Sequence, residues 1–231
     1  MRQRHLPFLF SLIALSLFGL IGCAADTPAS RAFEVQELVD RAASTANTIL
    51  KENRLGNSSS VLREAKAVLI VPSHFRGGLI LGAEGGRGVL LAKTTAGTWS
   101  PPAVYTLAGG SVGLQLGLES SQVIFIIMND NALDAILSNN FKFGADMNVA
   151  FGPVGGGRGA AFAGGFKPDV YVYSRNRGLF GGGALSGVTI QAKEDWNTAY
   201  YGSGATGRAI VQEGSFDQAG TNALRTLLLQ P

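Results

Sequence analysis

Ala65-Lys66-Ala67-Val68-Leu69-Ile70-Val71-Pro72 marks a change of period in the chain. Before it, over residues 31–54, Val35, Leu38, Val39, Ala42, Ala46, Ile49 and Leu50 recur three and four apart, with Glu34, Glu37, Arg41 and Lys51 between them. That spacing gathers the apolar side chains on one face of a helix. Gly56 and Asn57 end it, and residues 58–66 predict a second short helix. From Ala67 the apolar residues come instead in short unbroken runs, at 67–71, 79–81, 89–91 and 123–128, which read as buried strands. Pro72 stops the first run, and Gly77-Gly78, Gly85-Gly86 and Pro101-Pro102 read as turns.

Further along, Ala132, Leu133, Ile136 and Leu137 predict a helix within residues 129–139. Strand patterns return at 144–151, at 169–174 and at 187–193, and residues 216–229 predict a closing helix. No shift in composition divides the chain, so residues 31–231 read as one domain. The expected fold class is α+β: a large antiparallel, Gly-rich β-sheet or barrel-like core with an N-terminal amphipathic helix, an inserted helix and a C-terminal helix. The 32 glycines among 231 residues, about twice the usual share of roughly 7%, fit tight turns and close strand contacts.

The first residues follow a different logic. Met1-Arg2-Gln3-Arg4-His5 is basic, and the run from Leu6 to Ile21 is apolar, shorter than the roughly 20 residues a spanning helix needs. It ends in Leu20-Ile21-Gly22-Cys23, which resembles the lipobox of bacterial lipoprotein precursors. The expected organisation is a signal peptide over 1–22, a lipidated tether over 23–30 and the domain beyond. Cys23 would carry the lipid, and several acyl chains give the stable anchoring that one chain does not. Ala24 after the cysteine resembles the pattern that sorts to the outer membrane, facing the periplasm. Removal of residues 1–22 takes Arg2 and Arg4 with it, leaving 17 basic against 16 acidic residues, a net charge of +1 in place of +3. So weak a basic field does not indicate a nucleic-acid partner. With Cys23 the only cysteine, the chain can form neither an internal disulfide nor a cysteine-based metal site.

Short motifs give little chemistry. Gly109-Gly110-Ser111-Val112-Gly113 matches the pattern of a nucleophile elbow, but the residues after Ser111 alternate as a strand, and His74 precedes the serine in the chain. Gly202-Ser203-Gly204-Ala205-Thr206-Gly207 matches a dinucleotide fingerprint without the strand that should precede it, and reads as a loop before a short helix. His74 stands alone and reads as a turn residue beside Arg76, so no metal and no cofactor is expected. The carboxylates Asp130 with Asp134, and Glu194-Asp195, are better explained as charges at helix starts than as an acid–base pair. Arg175-Asn176-Arg177, with Lys167 and Arg158 nearby in sequence, form either a phosphate-binding loop or a solvated hairpin tip.

A longer pattern is more specific. Ala65 to Pro72, Gly85-Gly86-Arg87-Gly88-Val89-Leu90-Leu91-Ala92, Gly97-Thr98-Trp99-Ser100-Pro101-Pro102, residues 109–117, residues 123–129 and Asn148-Val149-Ala150-Phe151-Gly152-Pro153-Val154-Gly155 occur in the order of the SYLF lipid-binding domain, the Ysc84-type actin-binding domain. Residues 65–157 resemble that family closely. The resemblance implies an α+β domain without known catalysis that binds membrane lipid, phosphoinositides in eukaryotic members; actin is not carried over as a partner. Lipid contact in those members is attributed to an amphipathic N-terminal segment and basic residues. Here the matching helix, 31–54, has a polar face of mixed sign, and packing on the sheet is its expected role. Lys66, in the best-matched block, joins Arg158, Lys167, Arg175 and Arg177 as the expected head-group residues, with no catalytic residue. The expected function is a non-enzymatic, lipid-binding envelope module whose partner is membrane phospholipid. A protein-docking envelope component is the alternative, and a carboxylate enzyme on lipid or cell-wall material the lesser one.

Overall fold

A computed structural model describes residues 26–52, 58–78, 81–112, 117–139, 141–143, 147–151, 167–175 and 187–230. Helix α1 (Pro28–Glu52) leads into α2 (Ser58–Glu64). The strands β1 (Ala67–Gly78), β2 (Leu81–Ala92), β3 (Ala103–Val112) and β4 (Gly117–Ile127) follow, then helix α3 (Asp130–Leu137). The remaining strands are β5 (Phe141–Lys142), β6 (Val149–Phe151), β7 (Val170–Ser174) and β8 (Thr189–Ala192). Helix α4 (Glu194–Tyr201), a π-helical turn (Ala209–Glu213), a 3-10 turn (Ala219–Thr221) and helix α5 (Asn222–Leu229) close the chain. The expected α+β class holds.

Among the described residues the eight strands form one sheet in the order β5-β8-β3-β2-β1-β4-β7-β6, antiparallel except where β6 runs parallel to β7. The sheet curls into a half-barrel. Phe143, one residue beyond β5, lies with its ring 5.1 Å from that of Phe125 on β4. Five strand spacings separate β5 from β4 in the order, about 24 Å on a flat sheet. Only a curl can close that gap.

Both faces are buried where the apolar runs lie, which is why those stretches read as continuous. Leu69, Leu90, Leu107, Phe125 and Val172 face the concave core, capped by Leu133 and Ile136 of α3 and by Ile210 of the π turn. Val68, Ile70, Val89, Leu91 and Ile126 face the convex side, covered by Val39, Ala42, Ala46 and Ile49 of α1. The amphipathic helix therefore packs on the sheet, as its mixed polar face suggested. It starts at Pro28, inside the stretch read as a tether, because Thr27 caps it. Thr27 Oγ1 accepts from the Ser30 backbone N–H at 3.1 Å, and Ser30 Oγ accepts from the Thr27 N–H at 3.0 Å. Pro28 occupies the first helical position, where its missing N–H costs nothing.

Several sequence expectations need correction. Pro72 does not end a strand: β1 runs through it to Gly78, with the register shifting by one residue against β2 between Ile70 and Ser73. A bulge leaves a residue unpaired, which is where a proline without an N–H fits. Gly85-Gly86 is no turn but the middle of β2. The final α-helix starts at Asn222, not 216, after the 3-10 turn. The run expected to continue past Ser111 ends β3 at Val112, and β4 begins at Gly117. Residues 113–116, 79–80 and most of the 144–151 pattern before Val149 lie outside the described residues, as do the stretch read as a signal peptide and Cys23.

Candidate functional site

The bulge reverses which side chains point outward along β1. Before it, Val68 and Ile70 face α1; after it, Ser73 pairs with Arg87 and Phe75 with Gly85 on the convex side, while His74 turns inward. α1 covers the half of the convex face nearest Lys66. On the other half, where the β1–β2 and β3–β4 hairpins lie, a groove of about 410 Å³ opens. Leu38 and Arg41 of α1 form one wall, Pro72, Phe75 and Gly85 the floor, and Arg87 the rim. Phe75 is 47% exposed, an unusual position for a large apolar side chain in a strand.

The two guanidiniums are held loosely. Arg87 lies 3.8 Å from the Glu34 carboxylate and 4.3 Å from the centroid of the Trp196 ring. Arg41 lies 3.6 Å from Glu37, one turn away on α1. All four charged side chains are half exposed or more, so each pair contributes about 0.2–1 kcal/mol. A phosphate able to accept bidentate bonds from arginine can compete for them. Guanidinium groups beside an apolar floor suit an amphiphile with an anionic head.

The concave side holds a different polar cluster. His74 is not a turn residue: it is buried in β1 with its Nε2 3.7 Å from Glu84 Oε2 of β2, both side chains 1% exposed. Among the described residues neither Glu84 oxygen nor the Ser121 hydroxyl has a hydrogen-bond partner. Burial, helped by the nearby Arg76 charge, lowers the His74 pKa to about 4. Burial also pushes the Glu84 carboxyl up, against the pull of Arg76. His74 is thus neutral at pH 7. Its folded pKa lies below the ordinary value of 6.5, so its contribution to stability is complete above pH 6.5 and is lost as pH falls toward 4. Glu84, raised, works in the opposite sense: its contribution is present at low pH and fades as pH rises. The His74 part amounts to up to about 3 kcal/mol. Urea unfolding at pH 7 and pH 4.5 should show a drop in midpoint that His74→Leu reduces; equal pH slopes for the two proteins would refute the assignment.

The structure scatters the residues that sequence grouped. Lys66 sits at the start of β1 and pairs with Asp130 at 3.1 Å. Lys167, exposed, precedes β7 at that same end. Arg175 lies just past the other end of β7, about 17 Å away along the strand, with its guanidinium 3.5 Å from Gln122 Oε1. Arg158 and Arg177 lie outside the described residues. The carboxylates are occupied structurally: Asp134 lies 3.7 Å from Arg208, and Glu194 Oε2 accepts from the Gly207 N–H at 2.9 Å. Asp195 pairs with Lys193 at 3.0 Å. Among the described residues no three His, Cys, Asp or Glu side chains gather as a metal site, and no helix is long and apolar enough to cross a membrane. Sequence reasoning missed Phe75 and Arg87. The one available signal was Pro72 inside an apolar run, the mark of a bulge that turns the following residues over.

The sequence that forms this α+β half-barrel is similar to known proteins. The family described as "Ysc84: Las17-binding protein actin regulator" matches residues 108–230, and the chain belongs to this family, the SYLF family of the sequence resemblance. Protein YSC84 of Saccharomyces cerevisiae is 27% identical over 179 residues, 74% of this chain and 38% of the yeast protein. LAS seventeen-binding protein 3 of S. cerevisiae strain S288c is 30% identical over 155 residues, 65% of this chain and 33% of its own length. Human SH3 domain-containing YSC84-like protein 1 is 31% identical over 142 residues, 61% of this chain and 41% of the human protein. The chain thus spans about two fifths or less of these relatives.

Proposed function

We propose that the protein is a non-enzymatic lipid-binding module of the bacterial cell envelope, anchored by lipid on Cys23 to the outer membrane and facing the periplasm. The observation that carries the binding role is the external groove, where Arg41 and Arg87 flank an apolar floor that includes the exposed Phe75. Membership of the SYLF family supports it, and the Leu20-Ile21-Gly22-Cys23 sequence supports the anchor. The carboxylates weighed as catalytic sit in ion pairs or hydrogen bonds, which supports a binding role over a reaction.

Mass spectrometry of the full chain purified from membranes tests both parts. The expected result is an N-terminal peptide beginning at an acylated Cys23, with phospholipid retained by the protein under native conditions. An unmodified Cys23 thiol would remove the anchor, and a lipid-free protein would remove the binding role. A second reading, docking of a protein partner, is favoured by one relative's name, a LAS seventeen-binding protein. Capture of one envelope protein in stoichiometric amount by the lipid-free chain would select it.

A further inference from the structure

Resting on that lipid-binding reading, we infer that the hairpin half of the convex face, which the other described residues leave open, is the surface that lies on an anionic phospholipid bilayer. Phe75 enters the head-group layer there, and Arg87 and Arg175 contact phosphates.

The concave side carries both signs, with Arg76 opposite Glu84 in the register, whereas the charged side chains that the described strands turn to the convex side are basic. Register places Gln122, and Arg175 just beyond β7, on the convex side with Ser73, Phe75 and Arg87. The strand carboxylate Glu84 points to the concave side, beside Val188 of that core. With Arg41, the face carries three guanidiniums against Glu34 and Glu37, which α1 supplies through half-exposed pairs. Each basic side chain near an anionic surface is attracted to it, within a Debye length.

Among the outward neighbours of Phe75 whose side chains are described, Ser73, Ala83, Gly85, Ala108 and Ser120 are small, and Ser73 and Ser120 share a hydrogen bond of 3.0 Å. The aromatic ring thus rises above these neighbours. A protein interface gathers several aromatic anchors in a packed centre, whereas a ring among small neighbours, flanked by arginines, suits a lipid interface, where amphipathic contacts sit at head-group level.

The tether restricts the geometry as well. Cys23 lies five positions before Pro28, a reach of at most about 17 Å. Glu34, which holds Arg87, lies six residues into α1, about 9 Å along the helix. An acylated Cys23 therefore keeps this face beside the bilayer.

The test uses the full lipidated chain reconstituted into phosphatidylcholine vesicles with brominated acyl chains, with and without phosphatidylglycerol. The anchor holds every variant on the vesicle, so quenching reports only which face meets the lipid. Trp99 and Trp196, 1% and 7% exposed, give the background, which is measured for each arginine variant without Phe75→Trp and subtracted, because Arg87 stacks on Trp196. Phe75→Trp should show added emission that is blue-shifted and quenched when phosphatidylglycerol is present. Arg87→Gln and Arg175→Gln in that background should each weaken docking roughly fivefold, while Arg63→Gln, at the far end, should not. Unquenched Phe75→Trp, or equal loss with Arg63→Gln, would overturn the inference. If phospholipid still co-purifies while Phe75→Trp stays unquenched, lipid binding stands and this face does not carry it. If neither is seen, both readings fall.

Discussion

Gly88→Val is expected to lower the stability of the domain by about 3 kcal/mol or more, and the cause lies at the bulge of β1. A Cβ at position 88 would stand 2.6 Å from the Ile70 carbonyl oxygen and 2.9 Å from Val71 Cγ2. The first is backbone of the neighbouring strand and cannot rotate away. Relief requires the bulge to move, and the bulge sets which side chains of β1 face outward. For a domain of about 200 residues the loss corresponds to a melting temperature lower by roughly 6–12 °C. Gly110→Ala is the matched comparison, since a Cβ there meets nothing nearer than the Gly82 oxygen at 3.8 Å; its effect should stay within about 0.5 kcal/mol. Equal midpoints for wild type and Gly88→Val in thermal unfolding would show that the strand contact yields without strain.

The same contact explains what the sequence concealed. Gly85 and Gly86 look like a turn because glycine pairs mark turns. They sit inside β2 because strand backbones crowd them: a Cβ at Gly86 would lie 2.7 Å from the Ser73 oxygen. Close approach and turn geometry leave one mark in a sequence, the missing Cβ, and only the partner strand tells them apart. Pro72 misled for a related reason. A missing N–H forbids a regular ladder position, and a bulge offers an irregular one. By contrast α1, α3 and the 67–71 and 123–127 runs were legible, because their apolar periods answer to a core that covers each element.

The candidate groove was beyond reach for a different reason. Its parts come from α1, β1 and β2, with Arg41 and Arg87 46 positions apart, and linear proximity carries no information about such a pairing. Linear proximity misled in the other direction for Lys167 and Arg175, which β7 holds beyond its opposite ends. His74 looked like a turn residue because polar residues punctuate strands; the bulge carries it inward against Glu84.

Phe143→Ala is expected to cost roughly 3–5 kcal/mol and to do so by loosening the curl of the sheet. Phe143 is 2% exposed, packed 5.1 Å from Phe125 at 33° and 4.6 Å from Phe141 at 84°, the second an edge-on contact. Among the described residues β5 is two residues long and pairs only with β8, so few backbone bonds hold this edge of the sheet. The ring contact reaches across the concave face to β4, which no ladder between those strands does. If that contact closes the half-barrel, Phe125→Ala and Phe143→Ala must be coupled. Once either ring is gone, the second truncation removes a side chain that has already lost its partner. Urea unfolding of both single variants and the double should give a double-mutant loss smaller than the sum by about 0.5–1.5 kcal/mol. Additivity within about 0.3 kcal/mol would mean that the strands curl by their own twist and the rings only fill space. Coupling would place the closure of the concave core in side chains from the two ends of the curl. The convex groove would then depend on it at a distance, because β1, which supplies Pro72 and Phe75, lies next to β4.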